Sequence, residues 1–124
     1  QAVVAAIDVT TLDHNPAPTT PALRAIAVEK AKEWERAGAG EILLTRCERE
    51  GTMTWYDLGL IEDVASAVSI PVIAHGGAGT YEHMHQAIEA GADAVAAGAM
   101  WLFTDQTPHG AAEYLASRQI EVRL

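Results

Sequence analysis

The sequence predicts an α/β fold of parallel strands, a (βα)4 half of a TIM-type (βα)8 phosphate-binding barrel, and three observations carry that prediction. Short apolar strands alternate strictly with amphipathic helical segments, four of each, which is the pattern of parallel strands joined by right-handed crossovers. Ala37-Gly38-Ala39 and Ala90-Gly91-Ala92 recur before the second and fourth strands, a weak internal repeat of two βα units. Glycine signals follow the last two strands, and the short Met100 to Phe103 segment follows the last one. A (βα)8 barrel commonly builds its phosphate site there, from the loops after strands seven and eight plus a short extra helix. A flavodoxin-like open sheet is the alternative, but four strands are fewer than that fold normally uses.

Ala2 to Ile7 is a β-branched and alanine run ending in Asp8, so the first strand delivers a carboxylate at its C-terminal end. Parallel sheets keep their chemistry at that end, although an Asx turn closing the strand would use the same residue. Thr10 to Thr20, with Asp13, Asn15, Pro16 and Pro18, is a loop long enough to be a lid or an excursion over the site. Thr20 and Pro21 then start a helix whose apolar face is Leu23, Ile26, Ala27, Ala31 and Trp34, and Gly38 stops it. Lys30, Lys32, Glu33, Glu35 and Arg36 read as solvated charges on its outer face. Ile42 to Thr45 is the second strand, entered by Glu41 and followed by the polar stretch Arg46 to Thr54. Within that stretch Glu48, Arg49, Glu50 and Gly51 are either a charged surface loop, the favoured reading, or an active-site loop.

Asp57 can cap the next helix, with Leu60, Ile61, Val64, Ala65 and Val68 facing the core. The third strand, Val72 to Ala74 within the stretch Ile70 to Thr80, is a short continuous apolar run of the kind that a parallel strand buried on both faces needs. It passes directly into Gly76, Gly77 and Gly79, and Thr80 can cap the helix that follows. Glycines there let an anion approach the backbone amides, while a tight strand-to-helix turn would use them equally well. Tyr81, Met84, Ala87 and Ile88 have helical spacing. His83 and His85, two apart, point away from one another, which disfavours a shared metal and places both at the surface. Ala92 to Ala97 is the fourth strand, running into Gly98 and Ala99; Thr107 and Pro108 start the last helix, and Ile120 to Leu124 is a tail.

At 124 residues and 49% hydrophobic composition the chain reads as one globular domain, residues 1–124. No apolar run approaches the roughly 20 residues of a membrane span, and no signal peptide is visible, so a cytoplasmic protein is expected. The formal charge of −9 disfavours nucleic acid and anionic membrane surfaces as partners. Phosphate, if bound, must be held by backbone amides. Cys47 is the single cysteine and reads as a packed residue; no metal or cofactor is expected. The chain begins at Gln1 and enters a strand at once, which suggests a piece of something longer or a missing initiator.

Gly38 to Thr45, Gly51-Thr52, Tyr56-Asp57, Gly76-Gly77-Ala78-Gly79 and Gly91-Ala92-Asp93-Ala94 resemble the C-terminal half of the cyclase subunit of imidazole glycerol phosphate synthase. That likeness implies strands five to eight of a (βα)8 barrel of histidine biosynthesis. The family takes ammonia from a glutaminase partner and converts a phosphoribulosyl formimino carboxamide ribotide to imidazole glycerol phosphate and an aminoimidazole carboxamide ribotide. By position, Asp8 matches a catalytic aspartate and Thr45 and His75 would bind substrate. Gly76, Gly77, Gly98 and Ala99 would hold a phosphate, and Glu41 matches a charged gate at the ammonia entrance. The family pattern Asp-Arg-Asp-Gly is here Glu48-Arg49-Glu50-Gly51, which keeps the charge but lengthens each acid by one methylene, Glu50 being a candidate catalytic carboxylate. His75 stands where the family often has serine. Phe103 to Pro108 and Val122-Arg123-Leu124 are similar to cyclase-like proteins that amidate surface-polysaccharide sugars, the alternative enzyme. A phosphate-binding half-barrel without catalysis is the other alternative. The first four strands would have to be supplied by a complementing N-terminal half or by a second copy in a homodimer.

Overall fold

The structure, a computed structural model, describes residues 3–122. Strands β1 (Val4–Val9), β2 (Glu41–Arg46), β3 (Val72–His75) and β4 (Ala94–Val95) form one parallel sheet in sequence order. Helices α1 (Pro21–Arg36), α2 (Leu58–Ala67) and α3 (Tyr81–Glu89) join them, and the short α4 (Ala99–Phe103) and α5 (Pro108–Ser117) follow. Expectation and structure differ at the strand ends. Ala2 lies outside the described residues, β1 runs on through Asp8 to Val9, and β4 is shorter than Ala92 to Ala97, with only Ala94 and Val95 in register with β3. Of the expected tail, Arg123 and Leu124 lie outside the described residues. No helix among the described residues is long and apolar enough to cross a membrane.

Side chains alternate across the sheet. Ala5, Ile7, Val9, Ile42, Leu44, Val72 and Ala74 are each at most 4% exposed and share one core with Ala27 and Ala31 of α1, Leu60 and Val64 of α2, and Met84 and Ala87 of α3. On the other face Val4 is 51% exposed, Ala6 and Ala94 are exposed, and Leu43 and Ile73 are half-buried. This corrects the reading of the third strand as buried on both faces: helices cover one face, and the described residues place nothing over the other. The apolar run is continuous although only one face is covered; in (βα)8 barrels the corresponding second face is the inner one.

The helix starts follow the sequence. Thr20 accepts from the Leu23 amide, Asp57 from Leu60 and Thr80 from His83, each at 3.2 Å, and Thr107 accepts from Gly110 at 2.9 Å. The repeated Ala-Gly-Ala is a repeated helix stop. The Ala39 amide donates to the Trp34 carbonyl at 3.0 Å and the Ala92 amide to Ala87 at 3.1 Å, with Gly38 and Gly91 in the positive-φ position between. α5 ends the same way, the Ile120 amide donating to Leu115 at 3.0 Å, but with Gln119 at φ 66°. Gln119→Gly is therefore expected to raise stability by about 0.5–1 kcal/mol in urea unfolding, since glycine adopts that conformation without a Cβ penalty.

α1 departs from expectation twice. Ala27 and Ala31 are buried, but Ile26 and Trp34 are 61% and 44% exposed, Ile26 bordering a cavity beside the free edge of β1. Glu35 is not simply solvated: it accepts from the Ser69 amide at 2.8 Å, the Ser69 hydroxyl at 2.6 Å and the Ile70 amide at 3.2 Å, tying α1 to the approach to β3. Those bonds, the Ser69 hydroxyl foremost, hold its carboxyl below its ordinary value. A lowered carboxyl keeps its contacts above the ordinary range and loses them as pH falls through the lowered value. Ser69 and Ile70 amide resonances should shift in one step at a pH below the ordinary glutamate range, and Glu35→Gln should remove that step.

Candidate functional site

The parallel register brings three polar side chains into one row. Asp8 is paired with Thr45 and Thr45 with His75, all on the uncovered face at the C-terminal end of the sheet. Thr45 Oγ1 lies 3.2 Å from His75 Nδ1, and His75 Nε2 lies 2.9 Å from Glu50 Oε2. The other Glu50 oxygen, Oε1, sits 3.3 Å from where a Cβ on Gly98 would be, so the row continues onto the end of β4 and the start of α4. Asp8, Thr45, His75, Glu50, Gly98 and the adjoining Ala99 thus share one mouth. Glu41 starts β2 and is paired with Val4, at the opposite end of the sheet.

Two neighbours of this row are held in their neutral forms. Burial pushes the Cys47 thiol up, and the charges of Asp8 and Glu48 add to it, so Cys47 is a packed thiol and not an activated nucleophile. Burial likewise pushes the Tyr56 phenol well up, helped by Glu50, and its hydroxyl donates to the Ala96 carbonyl at 2.8 Å.

The glycine arm has a packing reason of its own. A Cβ on Gly76 would come within 2.6 Å of the Arg46 carbonyl oxygen, one on Gly77 within 2.0 Å of the Trp55 oxygen, and one on Gly79 within 2.3 Å of the Met53 oxygen. The β3–α3 turn therefore lies backbone to backbone on the β2–α2 loop, which the tight-turn reading anticipates. It also brings Gly76 and Gly77 to the His75 end of the sheet.

The segment after β2 is not a surface loop. Arg46 and Arg49 are each 2% exposed. Arg46 Nη2 donates to the Asn15 and Ala17 carbonyls at 2.8 and 3.0 Å, Nη1 to Glu48, and Nε lies 3.4 Å from Asp57 Oδ2. Arg49 donates to the Pro16, Trp55 and Tyr56 carbonyls at 3.0–3.1 Å and stacks on the Trp55 ring. Thr10 and the Thr11 amide donate to Glu48, and the Thr19 amide donates to Asp57 at 2.9 Å. Burial pushes the Glu48 carboxyl up, but these hydrogen bonds, one from its own backbone and the Arg46 charge carry it below its ordinary value. The Thr10 to Thr20 loop is thereby pinned at both ends by buried charges. Sequence reasoning missed this, though a signal existed: Ile42 and Leu44 face the core, and the same period of two places Arg46 there.

The two histidines of α3 are not at the surface as expected. His83 is half-buried, accepts from the Gly79 amide at 3.0 Å, and burial lowers its pKa. His85 pairs with Glu89 at 3.0 Å and Glu82 at 3.5 Å. Among the described residues no three His, Cys, Asp or Glu side chains converge as metal ligands would.

One parallel sheet covered by helices on one face, with its polar row at the C-terminal strand ends of the other, defines an α/β half-barrel of TIM type. The family described as "Histidine biosynthesis protein" matches residues 1–107, and the chain belongs to that family. It is 51% identical over 98 residues to the imidazole glycerol phosphate synthase subunit HisF of Pyrobaculum aerophilum, covering 79% of this chain and 39% of that protein. To the HisF subunit of Chlorobium phaeobacteroides it is 43% identical over 129 residues, 100% of this chain and 51% of that protein. The chain thus spans about half, or less, of the length of these relatives. Among solved structures, it superposes on wild-type GGGPS from Thermoplasma volcanium with a TM-score of 0.59 at 21% identity, covering 81% of this chain and 40% of that one. Dihydropteroate synthase of Xanthomonas albilineans gives a TM-score of 0.62 at 17% identity, covering 98% and 42%. These two likenesses speak for the fold alone.

Proposed function

We propose that this chain is the strand-five-to-eight half of an ammonia-using cyclase that forms imidazole glycerol phosphate and an aminoimidazole carboxamide ribotide, acting as part of a completed barrel. The observation that carries the reading is the row Asp8, Thr45 and His75 on the open face, at the strand ends where barrels of this type do chemistry. Asp8, exposed at the mouth, is the general acid or base, and Thr45 and His75 position substrate. Backbone amides of Gly76, Gly77, Gly98 and Ala99 hold a substrate phosphate, which suits a chain of net charge −9 with its two most buried arginines committed to carbonyls and carboxylates. Glu41, at the opposite end of β2, is the charged gate through which ammonia from a glutaminase subunit enters.

The uncovered face supports completion of the barrel. Ala6, Leu43, Ile73 and Ala94 form an apolar layer below the polar row that needs a cover, and the relatives are about twice as long as this chain. The test joins residues 1–124 behind the N-terminal half of the Pyrobaculum relative and follows ammonium-dependent formation of imidazole glycerol phosphate. Turnover is expected, with Asp8→Asn lowering it by about 10²-fold or more. A folded chimera without turnover would remove the cyclase reading, and a stable dimer of the isolated chain in light scattering would make a second copy the cover.

A further inference from the structure

Glu50 and His75 touch at the mouth of the sheet. His75 is fixed from one side by Thr45, 3.2 Å from Nδ1, and its Nε2 holds one oxygen of Glu50 at 2.9 Å. The second oxygen of the same carboxylate lies over Gly98, 3.3 Å from the position of a Cβ there. One carboxylate therefore engages both the imidazole donor and the small-residue floor that the proposed phosphate site uses. Glu50 itself is lightly held: its side chain is 41% exposed, it follows the 3-10 turn Cys47–Arg49, and Gly51 comes next at φ 85°.

We infer that Glu50 is an internal competitor for phosphate, its carboxylate and an incoming phosphate exchanging on His75 Nε2 and over Gly98. The inference rests on the phosphate reading of Gly98 and Ala99 given above. The physics is exclusion and like charge: both groups are anionic acceptors for the same donor, and two anions in one small space repel. The extra methylene of Glu50 sets the reach. An aspartate here would keep the charge but stop short of the imidazole, so the device depends on chain length as much as on charge. Exchange also moves Glu50 from an imidazole partner to solvent, which keeps the competition modest, in the range of a partly exposed ion pair.

The experiment titrates the chain with inorganic phosphate and follows the backbone amide resonances of Gly98 and Ala99 and the His75 ring. Wild type, Glu50→Asp and Glu50→Gln are compared. Phosphate is expected to bind both variants more tightly than wild type, about fivefold for Glu50→Gln and less for Glu50→Asp, which keeps the charge, with the same resonances moving in all three. Equal affinity in all three overturns the competition while leaving the phosphate site standing. Tightening in Glu50→Gln alone also overturns it, because a pure charge effect needs no contact with His75. If phosphate moves Gly98 and Ala99 in none of the three, the phosphate site itself fails and the competition falls with it.

Discussion

Gly77→Ala is expected to destabilise the chain by about 3 kcal/mol or more, the largest effect of any single methyl group added to this fold. Two penalties act together. Gly77 has φ 116°, a conformation that L-residues rarely adopt, and the new Cβ would stand 2.0 Å from the Trp55 carbonyl oxygen and 2.8 Å from its carbon. Neither neighbour can yield as a flexible side chain would, since both are backbone, and the Arg49 guanidinium holds that same Trp55 oxygen at 3.1 Å. Gly38 provides the control. Its φ is 100°, yet a Cβ there meets nothing within 4 Å, so Gly38→Ala should cost only about 1 kcal/mol. Urea unfolding of the two variants side by side separates backbone strain from collision; similar losses would mean that the turn can lift off the β2–α2 loop.

Arg46→Met is expected to cost about 3–5 kcal/mol, because it leaves buried carboxylates without their cation. The Glu48 and Asp57 side chains are only 5% and 2% exposed, and Arg46 faces both. The substitution also strips donors from the Asn15 and Ala17 carbonyls, releasing the middle of the Thr10 to Thr20 loop. Arg46→Lys should recover little of the loss, since a single ammonium cannot reach two carbonyls and two carboxylates as a planar guanidinium does. Asp57→Asn should cost less than Arg46→Met, as an amide oxygen still caps α2 at Leu60 and no charge is stranded except that of Arg46, which keeps Glu48. Chemical unfolding gives the order, and a small loss for Arg46→Met would show that Glu48 and Asp57 relax into water.

Much of the frame was legible because its causes are local. Thr20, Asp57, Thr80 and Thr107 cap helices within three residues of themselves, and Gly38 and Gly91 end helices whose last turns immediately precede them. The row at the mouth was legible for a related reason. Each of the first three strands is an apolar run that ends on a polar residue, and parallel strands place those ends together. What escaped were contacts made at a distance. The carbonyls that bury Arg46 belong to residues 29 and 31 positions away, and Glu35 finds Ser69 across 34. A charge in such a stretch looks solvated until the chain folds back over it.

By itself, then, the sequence determined the order of strands and helices, their caps and stops, the parallel sheet and the polar side chains at its C-terminal end, all through periodicity and short-range hydrogen bonding. Only the tertiary structure decided that Arg46, Glu48 and Arg49 are interior, that the glycine arm lies against the backbone of the β2–α2 loop, and that Glu50 meets His75 over Gly98. Each of these depends on which distant segments come into contact, and burial and charge pairing are properties of that meeting and of no local stretch of chain.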